Sequence, residues 1–308
     1  MANLTRIPVG RIFSFWSRSF SSPIKNHSQF HSISCSSYKI STTAHYSSPP
    51  PSPPPLSAAM NTQVFSSSSR WRPMFCTSLK ASYPEKTLSK CGLSLVIDLE
   101  GKVEILEFPV LLIDAKSLSL VDFFHRFVRP TKMSEQSVNK YIEGKYGEIG
   151  VDRVWHDTAQ PFKEVMQQFE AWLSQHNLWE KERGGRLTRG AFVTCGNWDL
   201  KTKIPQQCEV SGIKLPPYFM EWINLKDVYL NFYGREARGM MSMMKQLEIP
   251  SLGCHHIGID DSKNIARVLQ RMLVDGALMQ VTAKRNPVSQ KVEFLFENRI
   301  QHPSRQRQ

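Results

Sequence analysis

Hydrophobic positions fall into order from Cys91 onward. Leu93, Leu95, Ile97 and Leu99 alternate with Ser94, Val96, Asp98 and Glu100, the period of two that predicts a strand with one apolar face. The apolar run Phe108 to Ile113 predicts a second strand, and Val121 to Val128 a third that ends at Arg129-Pro130. Phe162, Val165, Met166, Phe169, Trp172 and Leu173 then recur at helical spacing, as one face of an amphipathic helix does. Gly184-Gly185 marks a loop, and Ala191 to Cys195 reads as a short buried strand. Met240, Met243, Met244 and Leu247 predict a second helix. Ile265, Val268, Leu269, Met272 and Leu273 predict a third, from near Asp260 to Asp275-Gly276. Leu278 to Thr282 is the expected last strand, with Val292 to Phe296 as an edge. Strands first and alternating helices later predict one α/β domain over about residues 89–285.

Composition separates this body from what precedes it. The 308-residue chain carries 39 Lys and Arg against 27 Asp and Glu, a net charge of +12. Residues 1–84 hold eight of those basic residues and no acid, so +8 of the charge sits there and residues 85–308 keep only +4. The same leader has 21 Ser and the run Pro49-Pro50-Pro51-Ser52-Pro53-Pro54-Pro55. Such a composition does not bury a core and predicts a disordered segment. Absent acids, abundant Ser and scattered Arg are the pattern of an organelle transit peptide. The uncharged first five residues and the long Ser-rich stretch favour a plastid. Arg6, Arg11 and Arg18 among Ile12, Phe13, Phe15 and Trp16 would suit a mitochondrion, the alternative. Residues 286–308 form a basic tail with Arg299, Arg305 and Arg307. The six cysteines show no C-x-x-C pair, which argues against a zinc ribbon or a disulfide scaffold. No stretch approaches the length of a membrane-spanning helix.

The candidate chemistry is acidic. Asp98 and Glu100 share one face of the first strand, where two anions repel and lose hydration unless a cation joins them. A hard divalent ion is the natural partner, since Mg²⁺ takes carboxylate oxygens. Asp199 follows the strand Ala191 to Cys195 in Cys195-Gly196-Asn197-Trp198-Asp199; read alone it is a helix N-cap. His255-His256-Ile257-Gly258-Ile259-Asp260-Asp261 leads into the last helix, where a carboxylate is favoured by the helix dipole. A loop histidine with a pKa of about 6.5 suits proton abstraction from water near neutrality. Read alone, this segment is equally a capped helix behind two surface histidines.

In combination these elements resemble the DEDDh exonucleases, the ribonuclease-H-like 3′→5′ exonuclease superfamily, and within it the Enhanced-RNAi-like branch. The resemblance covers about residues 89–285. It rests on Val96-Ile97-Asp98-Leu99-Glu100, Glu104-Ile105-Leu106-Glu107-Phe108-Pro109-Val110 and Gly196-Asn197-Trp198-Asp199. It continues in Pro216-Pro217-Tyr218-Phe219, Trp222-Ile223-Asn224, Asn231-Phe232-Tyr233 and Asp260-Asp261-Ser262-Lys263-Asn264-Ile265-Ala266-Arg267. It implies a ribonuclease-H-like mixed sheet flanked by helices, in a single exonuclease domain over 85–285. It further implies that Asp98, Glu100, Asp199 and Asp261 hold two Mg²⁺ ions, or Mn²⁺ in their place, and that His256 is the general base. His255 and Asp260 have the same spacing as His256 and Asp261; the Asp-Ser-Lys-Asn block sets the register on the second pair. Trp198, Gly101, Lys102 and Asn264 are the implied substrate contacts, with a core role the alternative for Trp198. The implied partner is RNA with a free 3′ end, such as an organelle ribosomal RNA precursor or a small structured RNA, and the products are nucleoside 5′-monophosphates. The same chemistry on DNA, or a catalytically weak RNA-binding factor, stand as alternatives. The aromatics Tyr218, Phe219, Trp222, Tyr229, Phe232 and Tyr233 read as core rather than as a base-stacking platform.

The chain departs from the family pattern after Glu100. Family members carry Ala-Thr and a loop there; here Gly101-Lys102-Val103 runs straight into Glu104. The Gly101 backbone and the Lys102 charge are expected to replace part of that loop. Lys102→Glu should then weaken RNA binding and flatten its salt dependence, with little change in fold. An unchanged salt slope in a titration of RNA binding would remove Lys102 from the site.

Overall fold

The computed structural model describes residues 92–299. The transit-like leader and the end of the basic tail lie outside the described residues. An eight-stranded mixed sheet has the order β4-β3-β2-β1-β5-β6-β7-β8. β1 (Leu93–Ile97), β2 (Glu107–Asp114) and β3 (Leu120–Arg129) form an antiparallel meander. The sheet then turns parallel, with β5 (Gly190–Thr194) beside β1 and β6 (Glu221–Asn224) beside β5. β7 (Ala283–Arg285) and β8 (Val292–Phe294) close one edge, antiparallel, and the two-residue β4 (Gln160–Pro161) closes the other.

β1 was expected to have one apolar face, but it is the central strand, and Ser94, Leu95, Val96 and Ile97 are all buried. A strand between layers is covered on both sides, so alternation reports only which helix each residue meets. One layer gathers Leu95, Ile97, Phe108, Val110, Leu112, Phe124 and Phe192 under α3 (Phe162–Gln175). That helix buries the six apolar residues read from the sequence. Its Phe169 contacts Phe108, Phe124, Phe192, Tyr218 and Phe219, with centroids between 5.2 and 6.3 Å apart. On the other face α7 (Gly258–Val274) contacts β1 and β2, and α6 (Met240–Gln246) packs on α7.

The predicted strand Leu278 to Thr282 is not formed; the strand starts at Ala283. Thr282 is spent on β6 instead. Its N–H donates to the Trp222 carbonyl at 3.0 Å, and its Oγ1 accepts from Asn224 N at 2.7 Å. The sheet also continues past residue 285 into β8, so the expected boundary there cuts a hairpin. Two helices between β3 and α3, α1 (Glu135–Tyr146) and α2 (Asp152–Thr158), carry only three and one buried residues. That sparse apolar content is why periodicity did not reveal them. The short α4 (Ile204–Val210) and α5 (Leu225–Tyr233) complete seven helices among the described residues. Tyr218, Phe219, Trp222 and Tyr229 are buried as core, and so are Met240, Met243 and Met244.

Candidate active site

β1 ends at Ile97, and the chain runs on through Asp98 and Leu99 to Glu100, which bridges back to Glu107 of β2. Period two carries Asp98 and Glu100 to the same side at the strand's C-terminal end. The third carboxylate arrives with β5, the parallel neighbour of β1. Asp199 opens a five-residue π turn, Asp199–Lys203. It is no N-cap: its buried Oδ1 reaches across the sheet and accepts from Leu99 N at 3.0 Å. The Gly196–Trp198 loop before it is held by β6. Asn224 Oδ1 accepts from Gly196 N at 2.8 Å, and Trp222 Nε1 donates to Asn197 Oδ1 at 2.9 Å.

Asp261 comes from the first turn of α7. A Cβ on Gly258 would stand 2.9 Å from the Asp98 carbonyl oxygen and 3.1 Å from Glu100 Cγ, so only glycine lets this helix start against β1. One ligand oxygen each of Asp98, Glu100 and Asp261 lie within 4.8 Å of one another. Burial, reinforced by Asp199, Glu100 and Asp261, pushes the Asp98 carboxyl well above its usual range. Burial also pushes Glu100 up to about 7, against the opposing pull of Lys145, and Asp199 up to about 6. Clustered hard oxygens that resist ionisation are the donor set a hard divalent cation fits.

Of these carboxylates Glu100 lines a cleft of about 950 Å³, with Gly101, Lys102, Trp198, His256 and a face of α1. Trp198 is 46% exposed, which excludes the core role for it. His256 takes a left-handed backbone, φ +70°, and its N–H donates to Asp261 Oδ2 at 2.9 Å while its ring lines the cleft. The neighbouring His255 stacks on that ring at 3.9 Å and places Nδ1 3.0 Å from both Asp261 oxygens. Asn264, expected to touch substrate, is instead buried within α7. Its Oδ1 accepts from Leu252 N and its Nδ2 donates to Leu252 O, so it anchors the loop that carries the histidines.

The segment after Glu100 is tight. Gly101 has φ +127°, and a Cβ there would stand 2.0 Å from the Glu104 carbonyl oxygen. The buried Lys203 donates to the carbonyls of Lys102 and Val103 at 2.9 and 3.1 Å. The buried Glu104 carboxylate accepts from the N–H groups of Thr131, Lys132 and Met133. Sequence reasoning missed Glu107, whose oxygens take Tyr146 Oη, His125 Nε2, Gly258 N and Ile259 N between 2.7 and 3.0 Å. It also missed Lys145, 2.6 Å from Glu100. The antiparallel bridge that sets Glu107 opposite Glu100 is visible only in the fold, so the sequence held no signal for the first. α1 gave no signal for the second.

A mixed sheet whose central strands deliver carboxylates to one end, met there by an acidic helix start, defines a ribonuclease-H-like exonuclease domain of the DEDDh type. The profile of the exonuclease family (RNase T type) matches residues 91–269, and the chain belongs to that family. An uncharacterized exonuclease domain-containing protein of Arabidopsis thaliana is 67% identical over 71% of this chain and 66% of its own length. The 3′-5′ exoribonuclease 1 of Rattus norvegicus is 34% identical over 59% of this chain. The matched part spans half, 50%, of that rat protein. The crystal structure of the nuclease domain of 3′hExo, a DEDDh family member bound to rAMP, is 30% identical. It covers 64% of this chain and 98% of its own, with a TM-score of 0.55.

An acid whose folded-state pKa is raised binds protons more readily in the folded state, so stability falls as pH rises from its ordinary value through the raised one. The metal-free chain should therefore lose Tm between about pH 4 and pH 7, the window from the ordinary carboxyl range to the Glu100 value. Mn²⁺ or Mg²⁺ should restore more Tm at the alkaline end of that window than at the acid end. Asp98→Asn should raise the metal-free Tm at neutral pH and shrink the response to metal. Thermal melts with and without chelator check the sign; a Tm that climbs through the window without metal would contradict it.

Proposed function

We propose that this chain is a divalent-metal-dependent 3′→5′ exoribonuclease that trims RNA 3′ ends. The observation that carries this reading is the convergence of Asp98, Glu100 and Asp261 within 4.8 Å, beside Asp199, under a cleft that holds His256. The exoribonuclease name of the rat relative and the rAMP in the 3′hExo domain support RNA as substrate. Two bound Mg²⁺ or Mn²⁺ ions, held by the four carboxylates, would supply charge stabilisation for the attacking and leaving oxygens of a phosphodiester.

This chain's own residues do the rest. His256 takes the proton of the attacking water. The bond between phosphorus and the penultimate 3′ oxygen breaks, that oxygen gains a proton, and a nucleoside 5′-monophosphate leaves. Trp198 offers its exposed ring to the terminal base. Lys102 sets a positive charge at the mouth of the cleft, on a backbone that Lys203 fixes. Plausible targets by chemistry are 3′ extensions of structured RNAs, including ribosomal RNA precursors of an organelle. The acid-free, Ser-rich residues 1–84 support a plastid as the compartment, with the mitochondrion second.

The full chain, incubated with a 3′-overhang RNA and the matched DNA, should shorten RNA stepwise from its 3′ end with Mg²⁺ or Mn²⁺ and stop with chelator. Asp261→Ala should lower the rate by at least about 10²-fold, the scale for losing one group that stabilises transition-state charge. A folded chain that shortens neither strand would overturn the reading, and preference for the DNA would move the substrate. Separately, residues 1–84 fused to a fluorescent protein should enter plastids. Mitochondrial fluorescence would establish the second compartment, and a cytosolic signal would sink both.

A further inference from the structure

The wall of the cleft formed by α1 carries a cation that the mechanism above leaves unused. Ser137, Lys140, Tyr141, Gly144 and Lys145 recur at helical spacing and all line the cleft. Lys145 Nζ stands 2.6 Å from Glu100 Oε2 and donates to Tyr141 Oη at 3.3 Å. The ammonium also lies over the rings of Tyr141 and Tyr146, 5.5 and 5.6 Å from their centroids. Its side chain is only 11% exposed.

An ammonium has three protons to donate. Glu100 and Tyr141 take two, and Lys145 is among the residues that line the cleft. A free surface lysine loses side-chain entropy when it grips a ligand, whereas this one is already held by a carboxylate, a hydroxyl and two rings. Lys140 and Lys102 line the same cleft, so it offers three lysines beside the acidic Glu100. A nucleic-acid 3′ end has the matching polarity, with an anionic phosphate at every nucleotide above the site of cleavage.

We propose that Lys145 is a substrate contact, donating its third proton to a non-bridging phosphate oxygen at the 3′ end of bound RNA, with Glu100 and Tyr141 as its positioning residues. This rests on the exoribonuclease reading, since it seats the RNA 3′ end in this cleft. It gives α1, a helix with few core residues, a part in binding.

The test measures binding of a labelled single-stranded oligoadenylate to the full chain in chelator, where no hydrolysis competes, across a salt series. Lys145→Gln should weaken binding about tenfold at low salt and lower the slope of log affinity against log salt by about 0.7, one phosphate contact on a single strand. Lys145→Arg should keep the slope. Tyr141→Phe, which removes one anchor of the ammonium and leaves the charge, should weaken binding about threefold at an unchanged slope, within the net range of one lost hydrogen bond. Mn²⁺ affinity is measured on the same proteins. An unchanged salt slope in Lys145→Gln, with only Mn²⁺ affinity altered, would overturn the proposal and leave Lys145 as a partner of Glu100 alone. If Lys145→Gln fails to fold, a slope in Lys145→Arg lowered like that of a lost contact, or Tyr141→Phe binding as tightly as wild type, would overturn it equally. Wild-type chain that shortens RNA with metal but shows no such effect in the variants fails this proposal only; wild-type chain that neither binds nor shortens RNA fails the reading beneath it as well.

Discussion

Glu107 begins β2 with its carboxylate fully buried, and each of its oxygens takes two donors. Oε1 accepts from His125 Nε2 and Ile259 N, and Oε2 from Tyr146 Oη and Gly258 N. Those donors come from β3, α1 and the start of α7, so one anion fixes three elements around the cleft. Burial pushes its carboxyl up, but these bonds outweigh burial and hold it below the usual range. A buried charge left without partners costs about 3–5 kcal/mol, which is why the contacts come as a complete set. Two of the four donors are backbone N–H groups in the first turn of α7, where the helix dipole adds to the attraction. Asp261 is therefore placed by Glu107 as much as by its own helix.

That anchoring makes a second charge problem soluble. Asp98, Glu100 and Asp261 converge beside Asp199, and burial opposes ionisation of Asp98, Glu100 and Asp199; for Asp98 burial is a larger cause than any of its acidic neighbours. The protein supplies partial relief from its own groups. Leu99 N meets Asp199, Lys145 meets Glu100, and His255 with the His256 N–H meets Asp261. The charged neighbours that bear most on Asp98 are all acids, Asp199, Glu100, Asp261 and Glu107. The residual imbalance centres on Asp98, which is where a divalent ion would give most relief.

Much of this was legible along the chain, and the failures share a cause. Central strands and the amphipathic α3 and α7 were readable because burial imposes a period, and the carboxylates were readable because the resemblance supplied their order. The face of β1 was misjudged because a strand covered on both sides keeps no polar face. Asn264 was misplaced because its block carries two jobs. Asp261 joins the carboxylate cluster, while Asn264 three residues later ties down Leu252. Glu107 and Lys145 were missed because their role is set by partners about 20 to 150 residues away, as with Gly258 and Ile259, and no local spacing encodes such a pairing.

The segment after Glu100 shows how a tight turn can be held in place. Closing a turn so soon after the strand forces Gly101 to φ +127° with the Glu104 carbonyl packed where a side chain would be. The turn then exposes the carbonyls of Lys102 and Val103 to the interior, and Lys203 satisfies both from the π turn that begins at Asp199. The same ammonium lies 5.1 Å from the centre of the Trp198 ring. One cation thus ties this turn to the loop that carries Trp198 and Asp199, and burial lowers its pKa without removing these acceptors. With its backbone fixed in this way, Lys102 loses little further main-chain entropy on meeting a phosphate. The turn is therefore a rigid base for the Lys102 charge that lines the cleft.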